Sequence, residues 1–185
     1  YLRALLNKPT DLVVNALWGG DLVAFVQQAN QTLLFKHAHF ANFDTGGNYE
    51  VLSALGDDIP TGLILSARHH NNWPNTAENR WFVERFREVA GRYPSYAAEG
   101  AYAGVMAIAH VMAELGTGAS DEDIRASMES LKLKLPEDPD GFVSYMDKDT
   151  HQLQQVIAIR ETVKSDQYLP ATRVLSNWRV YYPED

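Results

Sequence analysis

Short apolar runs alternate with helical patterns through the first third of the chain. Residues 11–17 (DLVVNAL) are rich in Val and Leu, as a buried parallel strand is. Trp18-Gly19-Gly20 interrupts the run. Asp21 is placed to cap a helix reaching about Asn30, whose Leu22, Phe25, Val26 and Ala29 share one face. Residues 34–40 read as a second strand and residues 42–48 as a loop dense in turn formers. A short helix over 49–55 and the turn at 56–60 lead to a third strand at 61–67. This β-α-β-α-β rhythm predicts a parallel sheet with right-handed crossovers.

The pattern then changes. Residues 68–75 (RHHNNWPN) form a polar connection, after which Asn75 or Thr76 caps a helix carrying Trp81, Phe82, Val83 and Phe86. Ser95 caps a long helix with apolar positions at 98, 101, 102, 105, 108, 109, 112 and 115, and Gly116 stops it. Ser120 and Asp123 resemble a capping box opening a helix to about Leu131. Strands are expected at 141–145, 153–163 and 173–182, with turn chemistry at 146–149.

Composition narrows the function classes. The chain has 185 residues, 45% of them apolar, enough for a packed core. Sixteen Lys and Arg stand against 24 Asp and Glu, and the net charge of −8 argues against a grip on nucleic acid or anionic lipid through the overall field. Without cysteine there is no disulfide and no thiol nucleophile. Residues 1–6 lack the basic start and long apolar stretch of a signal peptide, and read as the last turns of an amphipathic helix.

Candidate chemistry concentrates in the loops after the first two strands. In an open parallel sheet, ligands sit beyond the carboxyl ends of the strands, near helix N-termini. Trp18 and Gly19 end the first strand, and Asp44 and Thr45 follow the second. Trp18 offers an aromatic face and Asp44 an acceptor for an ammonium group. The plainer alternative is that Trp18 covers the sheet and Asp44 organises an Asx turn. Among the remaining aromatics, Trp73 in the connection and Tyr96 in the first turn of the long helix are further ligand-contact candidates. His37 and His39 share a face of the expected strand, and His69-His70 lie in the polar loop, but no spacing supplies a third metal ligand. Ser66, Asp149 and His151 are present without a GxSxG nucleophile elbow. Residues 136–140 (PEDPD) read as a solvated loop.

The runs DLVVNALWGGDLVAFVQQA, FANFDTGGN, ALGDDIPTGLILSARHH, NRWFVERFREVAGRYPSYAAEGAYAGVMAIA and DGFVSYMDKDTHQLQQVIAI, in this order, resemble the periplasmic leucine/isoleucine/valine-binding family. The resemblance implies the α/β type I periplasmic binding protein fold, with two Rossmann-like lobes closing on a ligand. Only the C-terminal portion of that fold is expected here. Residues 1–66 and 151–185 would belong to the second lobe and 67–150 to the closing segment of the first, the N-terminal half of the same protein being the missing partner. On this resemblance the acid that binds the ligand's ammonium falls on Asp44 and the strand-end aromatic on Trp18. The best-known members carry Glu and Tyr there. The shorter acid and larger ring set this chain apart, and related proteins are known for amides, urea and aromatic acids. The implied role is non-enzymatic: periplasmic or extracytoplasmic capture of an amino acid or similar solute for the membrane permease of an ABC transporter, with neither cofactor nor metal. The alternatives are a ligand-sensing domain of the same fold in a receptor or regulator, and an α/β hydrolase.

Overall fold

In the computed structural model, which describes residues 2–8, 10–43 and 45–183, the chain divides into two compact units. Unit 1 comprises Tyr1–Asn72 and Ile157–Val180, and unit 2 comprises Trp73–Val156 and Tyr181–Asp185.

Unit 1 is a mixed sheet with helices. Its elements are α1 (Leu2–Leu6), β1 (Leu12–Asn15), α2 (Gly19–Asn30), α3 (Leu34–His37), β2 (His39–Asn42), α4 (Tyr49–Leu55), β3 (Ile64–Ser66), β7 (Ile157–Tyr168) and β8 (Ala171–Tyr181). The sheet order is β1-β2-β3-β7-β8. β1, β2 and β3 are parallel as the alternation predicts, with Asn15 opposite Asn42 and Asn42 opposite Leu65. β7 runs antiparallel to β3, placing Leu65 opposite Arg160. The core gathers Val13, Leu22, Val26, Phe40, Leu65 and Leu175, with Phe40 stacked on Phe25 at 5.7 Å and edge-on to Phe35 at 5.4 Å.

Three expectations change. β1 is an edge strand buried on one face only: Val13 enters the core, while Leu12 and Val14 are exposed. Asp21 lies in the first turn of α2, and the capping position belongs to Trp18, which makes no side-chain bond. The strand expected at 34–40 begins five residues later. Thr32 Oγ1 donates to Ala29 O and accepts from Leu34 N, turning the chain into α3 before His39 N bonds Asp11 O and opens β2. His37 is therefore helical and His39 extended, and they do not share a strand face.

Unit 2 holds α5 (Ala77–Ala90), α6 (Tyr96–Leu115), α7 (Asp121–Glu129) and an antiparallel sheet of β4 (Lys132–Leu133), β5 (Ser144–Asp147) and β6 (Gln152–Gln154). The caps act as the sequence signals. Thr76, Ser95 and Ser120 accept from the backbone N–H groups of Asn79, Ala98 and Asp123. Gly116, at φ 78°, ends α6 with its N–H on Met112 O. The strand expected at 153–163 is split between β6 and β7, and that expected at 141–145 starts at Ser144.

The apolar stripe of α6 is not its buried face. Glu99, Ala103 and Val111 are buried, whereas Val105, Ile108 and Met112 are more than half exposed. Periodicity locates a stripe, but only a covering element buries it, and none among the described residues does so.

Two substitutions test this burial map in the 185-residue chain. Phe40→Ala is expected to cost about 3–5 kcal/mol, because it removes a buried ring packed against Phe25 and Phe35 and leaves a cavity. Met112→Ser is expected to cost no more than about 0.5 kcal/mol. Urea unfolding of both variants checks the contrast, and equal losses would contradict it.

Candidate functional site

The carboxyl ends of β1, β2 and β3 meet at one edge of unit 1, because the three strands are parallel and in register. Asn42 organises this edge. It is 2% exposed, and its amide donates to Asn15 Oδ1 at 2.9 Å and to Leu17 O at 2.7 Å. Its Oδ1 accepts from Gly46 N at 2.8 Å. Asn15 in turn donates to Ala41 O and accepts from Leu17 N. One amide pair thus fastens the loop after β1 to the loop after β2, and the buried Asn42 uses both its amide hydrogens and its oxygen, as burial requires.

The loop after β2 has no room to spare. A Cβ on Gly46 would come within 2.8 Å of the Asn42 side chain, and one on Gly47 within 2.8 Å of Leu175 and 3.1 Å of Ser66 O. Gly47 N bonds Ser66 O, which ties this loop to the end of β3, and Asn48 N bonds Thr45 O. Thr45 Oγ1 and Asn48 Oδ1 are buried with no hydrogen-bond partner among the described residues. Such orphans are uncommon in folded chains and mark a place where a further polar group would be welcome.

Two aromatic residues follow these strand ends, Trp18 after β1 and Phe43 after β2, both more than half exposed. Gly19 begins α2 at φ 53°, and neither Gly19 nor Gly20 has any atom within 4 Å of a built Cβ. An α-helix leaves its first-turn N–H groups without intrahelical partners.

The sequence-predicted residues divide. The structure brings Trp18, Gly19 and Thr45 to the carboxyl edge of unit 1. Asp44 lies outside the described residues. Trp73 and Tyr96 belong to unit 2, where both are half-buried, Tyr96 immediately following the Ser95 cap. Phe43 escaped the sequence reading although it adjoins Asp44; an aromatic in a loop of turn formers was the available signal.

The polar loop after β3 is largely folded in. Its His69 and His70 are buried, and the His70 ring lies 4.5 Å from Trp178 with Nε2 3.3 Å from Ala158 O. Burial, reinforced by His69 beside it, pushes the His70 imidazole down to about 3, so it is neutral at ordinary pH. Tyr168 donates to Asn71 O and Asn72 donates to Leu175 O, pinning the loop to β7 and β8. Among the described residues no three His, Cys, Asp or Glu side chains converge as metal ligands. Ser66 belongs to unit 1, where its hydroxyl faces Asn42 O; His151, in unit 2, pairs with Glu129 at 3.2 Å.

Unit 2 corrects one further reading. The PEDPD segment is no solvated loop: Glu137 is 3% exposed and Asp138 fully buried. Asp138 accepts from Leu135 N, Ser144 N and Ser144 Oγ, the last at 2.6 Å, while Lys134 Nζ donates to the carbonyls of Asp138, Pro139 and Phe142. Two prolines hold the turn, and six hydrogen bonds compensate its burial.

Residues 1–167 match the family described as periplasmic binding protein. A Leu/Ile/Val-binding protein homologue of Brucella melitensis is 25% identical over 167 residues, covering 89% of this chain and 38% of that protein. Among solved structures, a solute-binding protein of an ABC transporter from Rhodopseudomonas palustris BisB5, in complex with 3,4-dihydroxybenzoic acid, superposes with a TM-score of 0.80 at 19% identity, over 98% of this chain and 47% of that one. An amino acid ABC transporter substrate-binding protein from Pseudomonas fluorescens Pf-5 reaches a TM-score of 0.80 at 17% identity, over 100% and 48%. The chain therefore spans under half the length of these relatives.

Asn42→Ala is expected to destabilise unit 1 by about 2–4 kcal/mol, since it strands Asn15, Leu17 O and Gly46 N together; urea unfolding measures the loss. The depressed His70 value carries a pH dependence of definite sign. Above 6.5 both states are neutral at this group and stability is full. As pH falls from 6.5 towards 3, the unfolded chain takes a proton that the folded one refuses, and stability drops by up to about 1.4 kcal/mol per pH unit. His70→Gln is expected to flatten that limb of a stability profile.

Proposed function

The chain belongs to the periplasmic binding protein family and has its type I fold, and on this premise we propose that it is the ligand-holding C-terminal portion of an ABC importer's solute-binding protein. The ligand is a small polar solute, an amino acid or a related amide or carboxylate, which the protein captures without altering. A membrane permease receives it, and the protein works outside the cytoplasm.

The observation that carries this reading is the braced carboxyl edge of unit 1. Asn15 and Asn42 lock two loops that present an exposed Trp18, the first-turn N–H groups of α2, which have no intrahelical partner, and the buried, unsatisfied Thr45 hydroxyl. A rigid base with unsatisfied polar groups and an open aromatic face suits binding, because little freedom is lost when a ligand docks. Asp44, adjoining Thr45, supplies the charge for a ligand's ammonium. Trp18 covers its apolar part.

A second ligand class has its own support. Trp18 and Phe43 are 60% and 63% exposed on neighbouring strand ends, more aromatic surface than an aliphatic amino acid needs. Several similar solved structures hold benzoic acids. An aromatic carboxylate would use the rings and the α2 N–H groups without Asp44.

Calorimetry on the intact protein separates the two. For an amino acid ligand, Asp44→Ala should weaken binding at least about tenfold (1.4 kcal/mol), while an aromatic acid should bind unchanged or tighter. Trp18→Ala should weaken both and remove the ligand-dependent tryptophan fluorescence change; a retained signal would assign it to Trp73. A thermal-shift screen of amino acids, amides and benzoates tests the broader reading, since a ligand of the native state raises its melting temperature. No shift with any of the three classes would overturn it.

A further inference from the structure

Unit 1 is made of two stretches of chain, Tyr1–Asn72 and Ile157–Val180, so the backbone leaves or enters it at three crossings. One side chain stands close to all three, that of His70, which is 6% exposed. His70 lies two residues before the first crossing, in the loop that follows β3. Its Nε2 is 3.3 Å from the carbonyl oxygen of Ala158, the second residue after the next crossing. A carbonyl only accepts, so the ring proton is on Nε2 and the neutral imidazole donates. The same ring lies 4.5 Å from that of Trp178, two residues before the last crossing, with the two planes inclined at 51°.

Two further bonds tie the same places together. Asn72 Nδ2 donates to Leu175 O at 2.8 Å, and the Tyr168 hydroxyl donates to Asn71 O at 3.0 Å. β8 departs from strict alternation where it meets His70. Ala171, Arg173 and Leu175 are buried, so residue 177 would be the next to turn inward. Asn177 instead takes the left-handed conformation, φ 59°, and is exposed, while Trp178 is half-buried. One left-handed residue thus shifts the pattern by a single position, as bulges do where a strand re-aims a side chain. Asn is among the residues that tolerate that conformation.

We infer that His70 is a positioning residue that fastens the three crossings of unit 1 to one another, making them a single junction. Its N–H holds the start of β7 through Ala158, and its ring holds the end of β8 through Trp178. Asn72 secures the end of the loop itself to Leu175. An imidazole suits this place because one small ring supplies both a donor for a carbonyl and a flat face for an indole. An aliphatic side chain would lack the donor, and an amide would lack the face. With the chain fixed at these points, bending at the crossings is confined to the few residues beyond them, as hinge positions require. All of these contacts lie within unit 1, so the junction is independent of which solute the protein carries.

Hydrogen exchange of the whole chain at one pH, followed by mass spectrometry, tests the junction. In His70→Ala, peptides covering residues 69–72, 157–160 and 176–180 should all exchange at least about tenfold faster, because a buried donor and its packing are lost together. Peptides from β1 and β2 should keep their protection. His70→Gln retains a side-chain N–H for Ala158 but has no ring for Trp178, so 176–180 should loosen while 157–160 stays protected. Trp178→Leu should give the same pattern as His70→Gln, and these two milder variants carry the test if His70→Ala does not fold. Faster exchange confined to 69–72 in His70→Ala, or an equal rise across β1 and β2, would overturn the inference. So would loss of protection at 157–160 in His70→Gln, or unchanged exchange at 176–180 in Trp178→Leu.

Discussion

A single buried amide holds the candidate binding edge together. Asn42 ends β2 where its side chain can reach back to Asn15 on the neighbouring strand and forward to Gly46 in its own loop. Parallel pairing makes this possible, because it puts both strand ends, and both loops, at the same edge of the sheet. Gly46 is required where it stands, since any side chain there would displace the amide. The exposed Trp18 and the buried Thr45 take their places from loops that Asn42 has already anchored. Hydrogen bonds to one buried amide thus place both loops.

Each unit also buries ionisable groups, and low dielectric acts on them in opposite senses. In unit 1 it strips the proton from His70 between Trp178 and the backbone of β7. In unit 2 it keeps the proton on Glu137 against Glu99. Both outcomes are neutral groups, the state a water-poor interior tolerates at lowest cost. They give the two units opposite pH responses: unit 1 loses stability towards acid through His70, and unit 2 loses it towards base through Glu137.

The chain's acidic balance and its β-α-β alternation belong to the sequence itself, as do the Thr76, Ser95 and Ser120 caps and the Gly116 stop. These depend on residues within one or two turns of each other, so local chemistry decides them. The strand-end position of Trp18, Gly19 and Thr45 was legible for the same reason, because turn formers after an apolar run mark a loop. What fastens those loops was not legible. Asn15 and Asn42 are ordinary polar residues until a sheet pairs them across 27 positions.

Tertiary structure alone decided which side of each element is buried. The α6 stripe at Val105, Ile108 and Met112 has helical spacing, yet the polar Glu99 is buried instead, because burial requires a covering surface and spacing supplies none. The PEDPD turn has every mark of a solvated loop, yet Ser144, Leu135 and Lys134 enclose it with donors from several positions along the chain. Residues 34–40 had strand composition, yet the Thr32 hydroxyl closes a helical turn and delays the strand. Sequence determined where elements could form and which loops could carry ligand contacts. Only the fold determined which polar groups lose water, since that depends on partners brought from distant parts of the chain.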